Sequence, residues 1–393
     1  MIISIPNRKY LVNQLVKIIP RVLFLLLVLQ ISFSEAQGQS PNFISRYIKK
    51  IVNDTTHTAR PQFLFYPTLG YSPETSLEMG ISGLYVYYAN GDTTNRLSEM
   101  NGFGFYTLQE QYGLIADHNL YSNHNKWAFP GRIRYQSFPV LYHGIGPESP
   151  PEQLAEVNSR QLQIRERALR QTIKNLYFGL EVDYQRLSSV NFDFNSDEPF
   201  ALPLGGNGSK NLAFGLGILY DTRHNVLNVR NGQFSELAFL KYNTRWGGDY
   251  NFSTIISDNR FYRSLNKKHV LAAQVLGQFT TGNTPFNMLA LMGGENMMRG
   301  YYAGRYRDKN QVAAQAEYRL LPLPFSKRWG ATFFVSTGTV FNTFTSFNYK
   351  DFVVAGGGGI RYLLFPKKDI FTRLDVAFTK EKPGFYIFIG EAF

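Results

Sequence analysis

The residues best suited to chemistry in this chain lie in one stretch, LMGGENMMRGYYAGRYRD (residues 291–308). There Gly293, Gly294 and Met298 precede Arg299, and Gly300 and Tyr301 follow it. A guanidinium carried on so small and flexible a segment is fitted to docking. Away from bulk water it needs a carboxylate, because a buried unpaired charge is strongly destabilising. The remaining candidates form no reactive set. His57, His118, His124, His143, His224 and His269 are scattered, and no Ser–His–acid group stands out at one end of the fold. The chain has no Cys and no paired His spacing for a metal. The run AGGGG (355–359) lacks the Lys-Ser/Thr of a phosphate loop and falls within strand-like sequence. The expectation is a protein with no cofactor, no metal and no enzymatic step.

The elements that must position Arg299 read as β-strands. Phe (33) and Tyr (25) bring aromatics to 16%, yet mean hydropathy is negative and the body of the chain has no long apolar run. That balance suits strands with one greasy and one wet face. Beyond residue 60, stretches of about ten residues with period-two alternation recur between Gly, Pro, Asn and Asp clusters, the pattern of strands that cross a bilayer. In GQFSELAFLKYN, Phe234, Leu237 and Phe239 are apolar while Glu236 and Lys241 interrupt. Strands are expected near 62–71, 76–88, 100–109, 111–121, 128–138, 160–171, 174–187, 211–221, 233–243, 250–264, 268–281, 311–321, 330–341, 352–364, 368–380 and 383–393. The composition of 160–171 (RQLQIRERALRQ) suits a short amphipathic helix equally well. Sixteen is an even number, as an up-and-down barrel with both ends in the periplasm requires. The fold class expected is all-β: a transmembrane antiparallel β-barrel of about 16 strands, closed between the first and last. The longest connections, 139–159, 188–210 and 282–310, then face outward.

The N-terminal region reads as an address. Arg8, Lys9, Lys17 and Arg21 precede the apolar run VLFLLLVLQI (22–31), and Ser34-Glu35-Ala36 offers small residues for signal-peptide cleavage. Residues 1–36 are expected to be a signal peptide. Residues 37–60 then form a short periplasmic segment, with Phe43, Ile44, Tyr47, Ile48 and Ile51 on one helical face, and residues 61–393 form the barrel. Formal charge is +12, and loss of four basic and one acidic residue with the signal peptide leaves +9. No Lys/Arg-dense run or nucleic-acid motif accompanies that charge, so nucleic acid is not an expected partner.

Three elements in register resemble the outer-membrane insertase and translocase superfamily of BamA and TamA, also called bacterial surface antigen barrels. GGENMMRGYYAGRYRD is similar to that family's signature loop, with Met298, Arg299, Gly300 and Tyr301 as the hydrophobic-Arg-Gly-aromatic tetrad. YDTRHNVLNVRNG (220–232) resembles its periplasmic turn through Asp221, Thr222, Arg223, Asn225 and Gly232, with His224 where Asp is usual and Val229 where Pro is common. GFYIFIGEAF resembles its last strand, with Phe385, Ile387, Ile389, Gly390 and a terminal Phe393. The resemblance covers about residues 60–393.

The resemblance implies a sixteen-stranded barrel whose first and last strands pair poorly, giving a lateral opening, and a signature loop folded into the lumen. It puts one acidic partner of Arg299 at Glu317 and the second at Ser336, where the acid is absent. Arg299 is therefore expected on Glu317 plus hydroxyl or carbonyl acceptors. Gly390 would weaken the last strand and let it bend, and Phe393 would join the aromatic girdle at the periplasmic interface. The implied function is insertion or translocation of protein or lipid. Its partners are outer-membrane lipid, unfolded outer-membrane protein clients, and a separate periplasmic or lipoprotein subunit in place of the family's POTRA domains. Two other roles fit the strand pattern alone: a passive channel or transporter, and a membrane-anchored structural partner of another assembly factor.

Overall fold

The computed structural model describes residues 60–393, apart from residues 74, 196–200, 224–227, 267–268 and 367–368. The expected signal peptide and the expected periplasmic segment up to residue 59 lie outside the described residues, as does Asn225 of the turn motif.

Alternation from residue 62 onward gives a meander of antiparallel strands. They are β1 (Gln62–Ser72), β2 (Ser76–Tyr88), β3 (Leu97–Thr107), β4 (Tyr112–Tyr121), β5 (Trp127–Ser137) and its continuation β6 (Val140–Tyr142), β7 (Ala155–Ile173), β8 (Leu176–Phe194), β9 (Ser209–Asp221) and β10 (Gly232–Tyr242). There follow β11 (Phe252–Ser264), β12 (His269–Gly282), a small ribbon of β13 (Ala290–Met292) with β14 (Tyr306–Asp308), then β15 (Asn310–Leu320), β16 (Trp329–Phe341), β17 (Val353–Phe365), β18 (Ile370–Phe378) and β19 (Gly384–Ile389). Each wall strand pairs with the next, and both β5 and β6 pair with β7, so they form one staircase. Counted this way, sixteen strands close on themselves through β1 and β19.

Closure answers the demand that every backbone N–H and C=O find a partner in lipid. Outward positions carry an apolar surface, for example Leu180, Leu216, Phe239 and Ile255, which follow one another along the register from β8 to β11 and are all exposed. Inward positions carry ion-paired charges, among them Arg165, Glu236 and Arg260. Among the described residues, no helix is long and apolar enough to cross a membrane.

The segment 160–171 is strand, as expected, and not the helix its composition also suits. Three details differ from the sequence expectation. β7 and β8 run 19 residues each. The hairpin therefore extends past the membrane, and the connections 139–159 and 188–210 contract to 143–154 and 195–208. Alternation in β7 is masked because its inward face carries Arg165 and Arg167 while its outward face carries Ile164 and Glu166, so neither face is purely apolar. The third difference is the last strand, which ends at Ile389 and not at 393.

Closure is uneven. Between β1 and β2 the ladder is continuous from Gln62–Val86 to Ser72–Ser76. Between β1 and β19 a single position pairs, Tyr71 opposite Ile387. Side chains cover the rest of that seam. The Tyr71 and Phe385 rings lie 5.6 Å apart, and Tyr66 packs on Phe365 at the same distance, beside Leu64, Leu84 and Ile370.

Candidate functional site: an arginine strut inside the barrel

Between β12 and β15 the chain turns into the lumen. The β13–β14 ribbon pairs Ala290 with Asp308 and Met292 with Tyr306, forming the stalk, and residues 293–305 form the tip. Met292, Met297, Met298, Tyr301 and Tyr306 pack against Ala313, Val340, Val353 and Ala355 of the wall. That apolar contact is why the stretch is rich in Met and Tyr. Met298 has φ +57° and is fully buried, and Gly300 has φ +105°. A Cβ on Gly300 would lie 2.5 Å from Thr379 Cγ2, so close approach to the wall demands glycine there. The Gly300 N–H donates to the Tyr386 hydroxyl at 2.8 Å, and the Tyr301 hydroxyl donates to the Val354 carbonyl at 3.3 Å.

Arg299 is 1% exposed and meets two acids. One terminal nitrogen donates to Glu317 on β15 and the other to Asp375 Oδ2 on β18 at 2.6 Å. Its guanidinium carbon lies 3.6 Å from the centre of the Phe334 ring on β16. The loop thus ties β15, β16 and β18 together through one side chain.

The second acid corrects the expectation of hydroxyl or carbonyl acceptors. Ser336 is buried, but its hydroxyl donates to the Ala355 carbonyl at 3.4 Å and makes no bond to Arg299. Strand curvature brings the acid from β18, two strands beyond Ser336. The network continues on both sides. Arg319 donates to Glu317 at 2.7 Å, Arg361 bridges Asp375 at 2.5 Å and Glu391 at 2.9 Å, and Arg373 donates to the Glu295 carbonyl at 3.0 Å. Such sharing is what lets buried ions persist, since each carboxylate is held by more than one cation.

Sequence reasoning missed Asp375, Arg361, Arg373 and Glu391, though one signal was present. In AGGGG, a Cβ on Gly359 would lie 2.0 Å from Asp375 Oδ1 and 2.8 Å from Arg361. The glycine run makes room for the ion cluster.

The tail behaves differently from the expectation as well. Gly390 takes φ +96°, and the chain leaves the sheet there. Glu391 then reaches Arg361, and Phe393 packs on Tyr262, Ala272 and Val229 inside the mouth, with the Arg319 guanidinium 5.0 Å from its ring and donating to its main-chain oxygen at 3.0 Å. Phe393 is therefore an inward plug, not a member of the lipid-facing girdle. An arginine in the lumen offers it a better partner than the interface does. Ile387 and Ile389 remain in β19.

The turn motif lies at one mouth of the barrel. Asp221 is fully buried, accepts from Arg223 at 3.0 Å and forms an ion pair with Arg96 at 2.9 Å, while Arg223 lies over the Phe234 ring at 4.4 Å. Thr222 N–H donates to Gln233 at 2.8 Å, and Gly232 has φ +114°. Arg230, beyond the motif, pairs with Asp369 at 2.8 Å and donates to Leu321 at 2.9 Å. The turn thereby joins connections from separate parts of the wall.

At the opposite end Arg305 pairs with Glu381 at 2.8 Å and donates to Ser149, so three connections meet over the loop. Burial and neighbouring Arg305 lower the pKa of His143, whose ring nitrogen lies 3.3 Å from the Pro150 carbonyl. Between the two ends a cavity of about 540 Å³ is lined by both charges, including Glu99, Arg165, Glu236 and Arg260, and borders the seam through Tyr66, Ile389 and Gly390.

A closed sixteen-strand barrel with an apolar exterior, a charged lumen and an inward loop defines a transmembrane barrel of the bacterial outer-membrane type. The chain belongs to the Omp85 superfamily, whose domain model matches residues 115–393. Solved structures support the same fold. BamA from Haemophilus ducreyi lacking POTRA domains 1–3 superposes with a TM-score of 0.56 at 14% identity, covering 83% of this chain and 70% of that one. CdiB from Acinetobacter baumannii gives 0.53 at 12%, covering 84% and 59%, and CdiB from Escherichia coli gives 0.54 at 10%, covering 91% and 72%. No curated protein matches the chain in sequence. The family is one of outer-membrane insertion and translocation and is generally non-enzymatic, and its fold implies a bacterial outer membrane. No POTRA-like region is evident among the described residues.

Proposed function

We propose that this chain assists insertion or translocation of protein, or of lipid, by opening sideways at the seam between β1 and β19. The observation that carries this reading is the single paired position, Tyr71 opposite Ile387, in a wall where even the short β18–β19 pairing runs from Thr372–Ile389 to Ala377–Gly384. Arg299 is the complement of that weakness. By joining β15, β16 and β18 it keeps the wall beside the seam rigid while β19 is free to part from β1. The lumen cavity bordering Ile389 and Gly390 gives a polar segment somewhere to sit during passage. No bond in the substrate is made or broken. Clients are unfolded outer-membrane proteins, delivered by a separate periplasmic or lipoprotein subunit.

The test is a disulfide between Tyr71→Cys and Ile387→Cys. These residues are direct register partners, the geometry a disulfide needs, and the chain has no other Cys. Oxidation should abolish client insertion by reconstituted barrel, and reduction should restore it; full activity with the seam locked overturns the reading. A passive channel would instead give steady, large currents in planar bilayers, and the occupied lumen argues for small, intermittent ones.

A further inference from the structure

Nearly all the cations that face the lumen are paired. Arg165, Arg167, Arg260, Arg299, Arg319 and Arg361 each meet a carboxylate. A second group of cations faces the other way. Arg160 on β7, Arg186 on β8, Lys210 on β9, Lys241 on β10 and Arg245 in the turn Thr244–Trp246 are all exposed, and none is in an ion pair among the described residues.

Arg160, Arg186, Lys210 and Arg245 cluster at the rim, and Lys241 lies below them, four residues or about 13 Å toward the membrane from Lys210. Arg186 stands directly opposite Lys210, and Leu162 stands opposite Arg186, which puts Arg160 one diagonal step away on the same face. Lys241 stands opposite Phe214, whose ring meets Trp246 edge-on at 5.1 Å. The turn bearing Arg245 is pinned to the end of β9: Asp249 N–H donates to the Lys210 carbonyl and Lys210 N–H donates to the Asp249 carboxylate, both at 2.7 Å. Among the described residues Asp249 is the acid inside the patch, against the five cations. Glu156, opposite Asp193, lies about 13 Å farther from the membrane than Arg160, and Asp193 about 23 Å farther than Arg186, at ~3.3 Å per residue.

The position decides the ligand. Phe214 lies level with Lys241, and farther toward the membrane lie Leu180, Leu216, Leu237 and Phe239, all exposed and lipid-facing. The patch sits at the barrel end that carries the long connections 143–154, 243–251 and 283–309, the outer end of a bacterial barrel. Like charges placed directly opposite on adjacent strands repel, so the Arg186–Lys210 pair is unfavourable until an anion lies between them. At this height the anions are the phosphates of lipids in the outer leaflet. Guanidinium forks grip phosphate oxygens in pairs, ammonium groups add charge, and Trp246 with Phe214 seats the headgroup boundary.

We infer that the outer rim of β7–β10 is a docking site for a phosphate-bearing lipid headgroup. It would hold a lipid on the wall away from the seam and fix the barrel's height and tilt in the membrane.

Native mass spectrometry of the detergent-purified barrel with an equimolar mixture of bis-phosphorylated lipid A and phosphatidylcholine tests this. The wild type should retain lipid A over phosphatidylcholine by about tenfold or more, and the combined variant Arg186→Gln, Lys210→Gln, Lys241→Gln, Arg245→Gln should lose that preference. Lys210→Arg should keep it. Heat-dependent gel mobility reports whether each variant is folded. If the combined variant does not fold, Lys210→Gln and Lys241→Gln singly, with the wild-type preference ratio, decide. Equal retention of the two lipids by the wild type, or unchanged preference in folded charge-loss variants, overturns the inference. So does displacement of lipid A by millimolar inorganic phosphate, which would make the patch a free-anion site.

Discussion

Arg299 and Asp375 meet at 2.6 Å across 76 residues of chain, one on a loop tip and the other on the penultimate wall strand. With Glu317 on the other nitrogen, the loop is clamped between two strands that are not neighbours in the sheet. That arrangement makes the loop part of the wall's cohesion.

Removing Arg299 strips a buried cation from both Glu317 and Asp375, leaving each with one close cation, Arg319 and Arg361. Arg299→Ala is expected to destabilise the folded barrel by about 3–5 kcal/mol. Asp375→Asn should cost less, because Glu317 still holds Arg299. The measurement is the temperature at which the compact gel band converts to the unfolded one, with urea titration in detergent as a second reading. An unchanged transition for Arg299→Ala would mean that the strut contributes nothing.

The glycine run gives a sharper contrast. Gly359→Ala puts a methyl where Asp375 and Arg361 meet, and overpacking of this kind costs about 1–3 kcal/mol. Gly356→Ala, three residues earlier, meets its nearest neighbour at an ordinary 3.4 Å and should be near neutral. Equal effects of the two substitutions in the same unfolding assay would contradict the packing argument.

The tail should respond to its hinge. Gly390→Ala forces a side chain into φ +96°, a strain of about 1–3 kcal/mol. It should therefore release Glu391 and Phe393 from Arg361 and Arg319. Carboxypeptidase digestion of folded protein reads this directly: rapid trimming of the variant against slow trimming of the wild type is expected, as it is for Phe393→Ala.

Seam weakness has its own signature. Amides of β19 that face β1 should exchange with deuterium well ahead of those that β18 and β19 share, because local opening follows the number of backbone bonds broken. Uniform protection across Gly384–Ile389 would show the seam to be as tight as the rest of the wall.

Much of the fold was written in local pattern. Alternation, girdle aromatics and turn residues report each residue's own environment, so the strands from 62 onward, their number and the closed barrel were legible one segment at a time. Glu317 and the Arg299 tetrad were legible through resemblance. The strand at 160–171 was legible as well, but its composition left a helix open, because an inward face of arginines only makes sense beside Glu236 and Glu181 on other strands. Two things were not. Ser336 pointed to a missing partner, although Asp375, 39 residues further on, supplies it. Phe393 read as a girdle aromatic until Gly390 turned it inward onto Arg319.

The sequence by itself determined the secondary structure, the barrel class and the identity of the docking arginine, since these depend on periodicity and on residues adjacent in the chain. Only the tertiary structure decided which charges meet, where the tail goes and how weakly the ends join. Those depend on barrel curvature, which brings strands distant in sequence to face one another across the lumen, and on the lost solvation that makes each buried charge seek the nearest opposite one.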